Sequence, residues 1–140
     1  MNPLAMIHLC HSEAETAALG AALVSRLAPD GTLLLDGELG AGKTVLIRGL
    51  ATALGLSADQ VQSPTFTLIH EHGDDDVVLS HVDLYRLEPE EVPALGLDER
   101  FAAPGIVAIE WAERLDTPIP DAIRVTIRVR ADGVREIEID

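Results

Sequence analysis

The sequence predicts a single α/β domain in which helices cover both faces of a mixed, mostly parallel sheet. Two observations lead to this prediction. Short apolar runs alternate with helical patterns through most of the chain, which is typical of strands joined by helices. Residues 122–129 and 134–139 instead alternate apolar and polar side chains around a turn, which predicts a C-terminal hairpin. The 140 residues are enough for one core, so residues 1–140 are expected to form one domain.

The first third of the chain is predicted to form a strand, a helix and a second strand. Residues 6–10 can form the first strand. Ser12 and Glu15 then match a capping box, in which a Ser and an acid three residues later satisfy free N–H groups where a helix begins. This helix is expected to run to about Leu27. A turn at residues 29–31 and the apolar run at 33–35 predict the second strand.

Residues 37–44 read GELGAGKT, which matches the phosphate-loop pattern of Gly, four residues and then Gly-Lys-Thr. A strand before the glycines and apolar residues at helical spacing after them supply the context that this motif requires. Glycines allow successive N–H groups to point at an anion, and the start of the helix adds a positive pole. The alternative, a plain glycine-rich turn, is disfavoured because Lys43 is the only lysine of the chain.

The motif therefore predicts the three-layer P-loop NTPase fold, with a nucleoside triphosphate and Mg²⁺ as ligands. Lys43 would contact the β- and γ-phosphates, and the Thr44 hydroxyl would hold Mg²⁺. The predicted nucleotide-binding residues of the loop are Glu38, Leu39, Gly40, Ala41, Gly42, Lys43 and Thr44.

The middle of the chain is predicted to contain a hairpin, a short helix and a buried strand. Residues 67–70 and 77–82 are typical of two strands, and we interpret the three aspartates between them as a solvated turn rather than a metal cluster. Residues 89–91 suit the first turn of a helix, which Pro93 should shorten or kink. Residues 105–109 predict an apolar strand.

Two predicted strands end in a carboxylate, Asp83 and Glu110. Ligands of open α/β sheets gather outside the carboxyl ends of the strands, where acids can hold Mg²⁺ or orient a water molecule. Glu110 follows the purer apolar run and is our first choice for the metal. Tyr85 and Trp111, the only Tyr and Trp, each lie near one of these acids, although core packing is the ordinary alternative. His81 is interpreted as a structural histidine.

The composition restricts the compartment and the partners. A net charge of −14 repels polyanions, so direct nucleic-acid binding is not expected. No apolar run approaches the ~18 residues of a membrane span, and the N-terminal stretch has no basic start typical of a signal peptide. The single cysteine, Cys10, suits a reducing compartment. We therefore expect a cytoplasmic protein without a membrane contact.

Four motifs, in this order, resemble the bacterial TsaE (YjeE) proteins. They are GELGAGKT at residues 37–44, SPTF at 63–66, HVDLYR at 81–86 and IEW at 109–111. The resemblance extends from Ser12 to the last strand, and the joint spacing of the four motifs is specific. Pro93 and the aspartate-rich turn are mild departures from the family pattern.

The resemblance implies a small P-loop ATPase of the pathway that installs N6-threonylcarbamoyl on adenosine 37 of certain tRNAs, acting with the proteins TsaD and TsaB. Because the only lysine is committed to the loop and no segment is an evident lid, we expect hydrolysis by the isolated chain to be slow. Asp83 would lie by the γ-phosphate as the catalytic residue, and Glu110 would join Thr44 on Mg²⁺. Ser12, its neighbour His11 and the terminal hairpin would touch the nucleotide. The candidates for a functional surface are Thr65, Tyr85 and Trp111.

Two alternative functions remain open. A small-molecule kinase would need a mobile basic segment over the transferred phosphate, for which Arg86, Arg100 and Arg114 are the candidates. A nucleotide sensor without useful turnover would lose no output when the Asp83 carboxylate is removed, provided that nucleotide binding survives.

Overall fold

The computed structural model describes residues 6–38, 40–57, 59, 61, 68–73, 76–115 and 118–140. Leu39 and Thr65, two predicted site residues, lie outside these ranges, as do the aspartates at positions 74 and 75. The strands are β1 (Met6–Cys10), β2 (Thr32–Gly37), β3 (Ile69–His72), β4 (Leu79–Asp83), β5 (Ile106–Glu110), β6 (Ile123–Val129) and β7 (Arg135–Ile139). The α-helices are α1 (Glu13–Ala22), α2 (Val24–Leu27), α3 (Lys43–Ala53) and α4 (Leu97–Ala102), and 3-10 helices span Pro89–Leu95 and Ala112–Arg114.

The strands form one mixed sheet in the order β1-β7-β6-β2-β5-β4-β3. The four central strands, β6, β2, β5 and β4, pair in parallel. At one edge of the sheet, β3 pairs antiparallel with β4. At the other edge, β7 pairs antiparallel with β6 in the C-terminal hairpin, and β1 extends this hairpin by pairing antiparallel with β7. The prediction of a mostly parallel sheet with a C-terminal hairpin is confirmed.

Two apolar cores separate the sheet from the layers above and below it. Side chains alternate between the faces of a strand, so consecutive residues of β2 serve different cores. Leu33 and Leu35 pack in the core that α1 and α3 cover. Leu34 packs in the other core, together with Val92 of the 3-10 helix and Leu97 of α4. The three-layer prediction is therefore confirmed.

Helices α1 and α3 approach each other through two glycines. A Cβ atom at Gly20 would lie 2.0 Å from the carbonyl oxygen of Leu46. A Cβ atom at Gly49 would lie 1.9 Å from the carbonyl oxygen of Ala17. Both positions therefore require the absence of a side chain. Near the N-termini of the two helices, Cγ2 of Thr16 on α1 lies 3.9 Å from the Cβ position of Gly42, the N-cap of α3.

The helix predicted after Pro89 is a 3-10 helix that ends at Leu95. Pro93 lies inside it and has no N–H to donate, which disfavours an α-helix here, and the chain forms a short, tighter 3-10 helix instead. Gly96, with φ of 70°, then turns the chain into α4. The predicted effect of Pro93 is confirmed. In the described part of the chain, no helix combines the length and the apolar composition that crossing a bilayer requires.

Candidate functional site

A cavity of about 650 Å³ lies at the carboxyl ends of the central strands. It is bounded by the end of the phosphate loop, the start of α1, the strand-terminal acids and the turn of the C-terminal hairpin. The predicted site residues that line it are Ser12, Gly40, Gly42, Lys43, Thr44, Asp83, Tyr85, Glu110 and Trp111, together with His11. Residues that are far apart in the sequence thus meet in one place.

The phosphate loop has the backbone that an anion site needs. Gly40 and Gly42 have φ values of 78° and 107°, which residues with a side chain rarely adopt. Helix α3 begins at Lys43, and its N-cap, Gly42, offers no side chain to cap it. The N–H groups of the first turn therefore face the cavity without a capping side chain, as in helices that bind phosphate at their N-terminus. Ala41, within the loop, is fully buried.

Lys43 is held against the loop and an aromatic ring. Its Nζ atom donates to the carbonyl oxygen of Gly37 and lies 3.4 Å from that of Glu38. The same atom lies 3.9 Å from the centre of the Trp111 ring, which is a cation–π contact. Burial lowers the pKa of the Lys43 ammonium, against the opposing effect of nearby carboxylates, chiefly Glu110.

Trp111 and Tyr85 form one aromatic wall of the cavity. Their ring centres are 5.0 Å apart and the planes are inclined by 41°. The backbone of Trp111 has φ of 60°, a left-handed conformation that is uncommon for a residue with a side chain and concentrates at functional sites. The turn that follows β5 therefore fixes the indole over Lys43, while Tyr85 is 37% exposed.

The two strand-terminal acids are neighbours in the parallel pair of β4 and β5, where Asp83 lies opposite Glu110. Both are 3% exposed. The backbone N–H of Tyr85 donates to Oδ1 of Asp83 at 2.9 Å. Nε2 of His81, which is fully buried, lies 2.6 Å from Oε2 of Glu110. Each carboxylate is thus oriented by a separate hydrogen bond.

The donor set suits Mg²⁺ bound together with a nucleotide. In the described ranges, no three His, Cys, Asp or Glu side chains are grouped to hold a metal. Mg²⁺ at a phosphate site usually takes one or two protein ligands and completes its shell with phosphate oxygens and water. Thr44, Asp83 and Glu110 line the same cavity and supply oxygen ligands of that kind.

Ser12 lies at the N-terminus of α1, as predicted. Its Oγ atom accepts from the N–H of Glu15 at 3.1 Å, which is the expected cap. The Glu15 carboxylate accepts from the N–H of His11, the residue before the cap. The cap therefore fixes the short segment between β1 and α1 that enters the cavity.

A second cavity, of about 600 Å³, lies near the start of β2. Asp30, Asp98 and Asp121 line it, and the residues described there include no Lys or Arg. Such a lining repels a polyphosphate, so the first cavity is the better candidate for a phosphate-bearing ligand.

Comparisons with known proteins agree with this geometry. Residues 10–137 match the family model of the threonylcarbamoyl adenosine biosynthesis protein TsaE. The chain belongs to the TsaE family. A TsaE protein of Nostoc sp. is 41% identical over 99% of this chain and 87% of its own length. A TsaE protein of Bacillus subtilis is 40% identical over 88% of this chain and 77% of its own length. Both relatives are named as tRNA threonylcarbamoyladenosine biosynthesis proteins.

The fold is also similar to that of a solved structure. A crystal structure of Bacillus subtilis YdiB superimposes with a TM-score of 0.74 at 32% identity, covering 96% of this chain and 84% of that one. The P-loop fold and the resemblance to the TsaE family that the motifs predict are therefore confirmed. Family and fold together indicate a nucleotide-binding protein.

Two residues of this TsaE-family site have roles that local sequence patterns do not reveal. His81, which the sequence favours as a structural histidine, supports the site through its hydrogen bond to Glu110. The available signal is its position two residues before Asp83, which places both side chains on the same face of the strand. Arg135, at the start of β7, lines the cavity and contacts the phosphate loop. No local pattern marks Arg135, because it meets the loop only through the sheet.

Proposed function

We propose that this chain binds ATP with Mg²⁺ and hydrolyses it slowly, as a component of the machinery that makes N6-threonylcarbamoyladenosine at position 37 of tRNAs. TsaD and TsaB are its proposed partners. The observation that carries the proposal is that the phosphate loop with Lys43, the N-terminus of α3 without a capping side chain, and the carboxylates of Asp83 and Glu110 all meet in one cavity. The names of the relatives support the biosynthetic role.

In the proposed mechanism, the N–H groups at the start of α3 and the Lys43 ammonium bind the phosphates. Lys43 exchanges its contacts with loop carbonyls for phosphate oxygens. Asp83, oriented by the N–H of Tyr85, positions the attacking water at the γ-phosphate. Thr44 and Glu110 would hold Mg²⁺, and His81 fixes the Glu110 carboxylate. When bound, Mg²⁺ neutralises phosphate charge.

The proposed division of labour also explains the acidity of the chain. With a net charge of −14, this protein is poorly suited to bind tRNA itself. The partners would hold the tRNA, and the nucleotide site would be a local positive focus in a negative molecule. The cations that line the described cavity are Lys43 and Arg135.

Calorimetry of Mg·ATP binding tests the site. Lys43→Met removes the ammonium but keeps an unbranched side chain, so the charge-assisted hydrogen bonds to two phosphates are lost. Together these are worth about 3 kcal/mol, or roughly a hundredfold in Kd. Arg26→Met is the matched control, because it removes one positive charge from an exposed position on α2. Equal affinity of Lys43→Met and wild type would refute the assignment.

The partner proposal needs a separate measurement. The ATPase rate of the chain should be low alone and should rise as a TsaD–TsaB pair is added, because the partner would cover the open cavity and exclude water. Fast turnover by the chain alone, with a flat response to TsaD–TsaB, would contradict the proposal. Rapid phosphate transfer to a small acceptor would favour the kinase alternative.

A further inference from the structure

The guanidinium of Arg135 joins the C-terminal hairpin to the phosphate loop. Its Nε atom donates to the carbonyl oxygen of Ala41 at 3.2 Å, and Nη2 donates to that of Gly40 at 3.2 Å. Its Nη1 atom donates to the carbonyl oxygen of Gly133 in the turn of the hairpin, at 2.8 Å. One side chain therefore binds two consecutive peptide groups of the loop while it is anchored to its own turn.

The remaining carbonyl groups described in the loop are also bound. Lys43 contacts the oxygens of Gly37 and Glu38, and the oxygen of Gly42 accepts the first helical hydrogen bond, from Leu46 at 3.0 Å. Among these donors, Lys43 must turn toward phosphate when a nucleotide binds. Arg135 therefore remains the side chain that can hold loop carbonyls in both states.

Holding a carbonyl also orients an amide. In a trans peptide the C=O and N–H bonds point in opposite directions, so fixing the oxygen of Ala41 fixes the direction of the Gly42 N–H. Gly40 and Gly42 have positive φ and great conformational freedom, so without a restraint this stretch would sample many arrangements. A restraint that acts before the ligand arrives lowers the entropic cost of binding.

We propose that Arg135 is a positioning residue that preorganises the phosphate loop for nucleotide. This inference rests on the proposed nucleotide-binding function. The planar guanidinium is essential to it, because its donors form a fork with fixed geometry, whereas a lysine offers a single ammonium at the same charge. The hairpin strand β7 supplies the frame, since Arg135 pairs with Cys10 of β1 on one side and Val129 of β6 on the other.

The test compares Arg135→Lys and Arg135→Met with wild type. Arg128→Lys is the matched control, because Arg128 lies on the same hairpin and pairs with Glu138, at 3.2 Å. Calorimetry with Mg·ADP and Mg·ATP should show that Arg135→Lys weakens both nucleotides about tenfold, the effect of losing two modest hydrogen bonds. The affinities for ADP and ATP should fall by the same factor, because the restraint acts on the loop and not on the γ-phosphate. Arg128→Lys should leave both affinities unchanged.

Hydrogen exchange of the nucleotide-free protein supplies a second readout. Amides of residues 40–44 should exchange faster in Arg135→Lys than in wild type, while those of the central strands stay unchanged. Affinities and exchange rates equal to those of wild type would overturn the proposal. A loss of affinity for ATP but not for ADP would also overturn it, because it would indicate a direct contact of Arg135 with the γ-phosphate. If neither Arg135 variant folds, Arg135 is a folding residue and the proposal is wrong. If wild type itself binds no nucleotide, the proposed function fails instead.

Discussion

Replacing Trp111 by Leu should separate nucleotide affinity from coupling to a partner. The change removes the aromatic face 3.9 Å from the Lys43 ammonium but keeps an apolar side chain. Leu and Trp both carry a Cβ atom, so the cost of the left-handed backbone at φ of 60° is the same. A cation–π contact beside an open cavity is worth about 1 kcal/mol, or roughly fivefold in an equilibrium constant. The Kd for Mg·ATP should therefore rise no more than about fivefold.

The loss in partner-stimulated turnover should be larger. The Trp111 and Tyr85 rings form one wall of the cavity, and Tyr85 is 37% exposed, so a partner that covers the cavity can contact it. Calorimetry gives the Kd, and the ATPase rate at saturating ATP with added TsaD–TsaB gives the coupling. The fluorescence of wild type, whose only tryptophan is Trp111, should change on ATP binding. If Trp111→Leu costs as much ATP affinity as Lys43→Met, the aromatic wall is a nucleotide contact and the reasoning is wrong.

Four further predictions concern acidic residues and the helix packing. Glu110→Ala should raise the Mg²⁺ concentration needed for ATP binding. Asp83→Asn should leave ATP binding unchanged and lower the rate of hydrolysis at least tenfold. An Asp83→Asn protein that hydrolyses ATP at the wild-type rate would disprove the role of Asp83 in positioning water. Gly49→Ala should destabilise the fold by about 2 kcal/mol or more, because its Cβ would overlap a backbone oxygen of α1, and urea unfolding measures this. Partial burial raises the pKa of the Glu113 carboxyl group. Above that pKa the charged carboxylate destabilises the folded state. Below the ordinary pKa of 4.5 the group is protonated in both the folded and the unfolded state, so this destabilisation disappears. Glu113→Gln should thus increase the free energy of unfolding at pH 7 by less than about 1 kcal/mol and give no gain in acid; a gain that persists in acid would show another cause.

The parts of the site that were predictable depend on residues close in sequence. The phosphate loop combines Gly40, Gly42, Lys43 and a following amphipathic helix within a few residues. The positions of the two acids followed from a general rule, because every parallel strand of an open sheet ends at the same edge. An apolar run that ends in an acid, as at Glu110, therefore places that acid near the loop without knowledge of the strand order.

The sequence by itself determined the fold class, the phosphate loop, the caps and the edge at which the acids gather, because each of these depends on local backbone preference or on strand direction alone. The tertiary structure decided which residues support them. The order β1-β7-β6-β2 brings Arg135 to a loop 94 residues earlier, and the register of β4 with β5 brings His81 to Glu110. Such contacts depend on strand order and register. Those are chosen by the packing of the whole sheet, through many weak interactions between distant residues, and no short stretch of sequence encodes them.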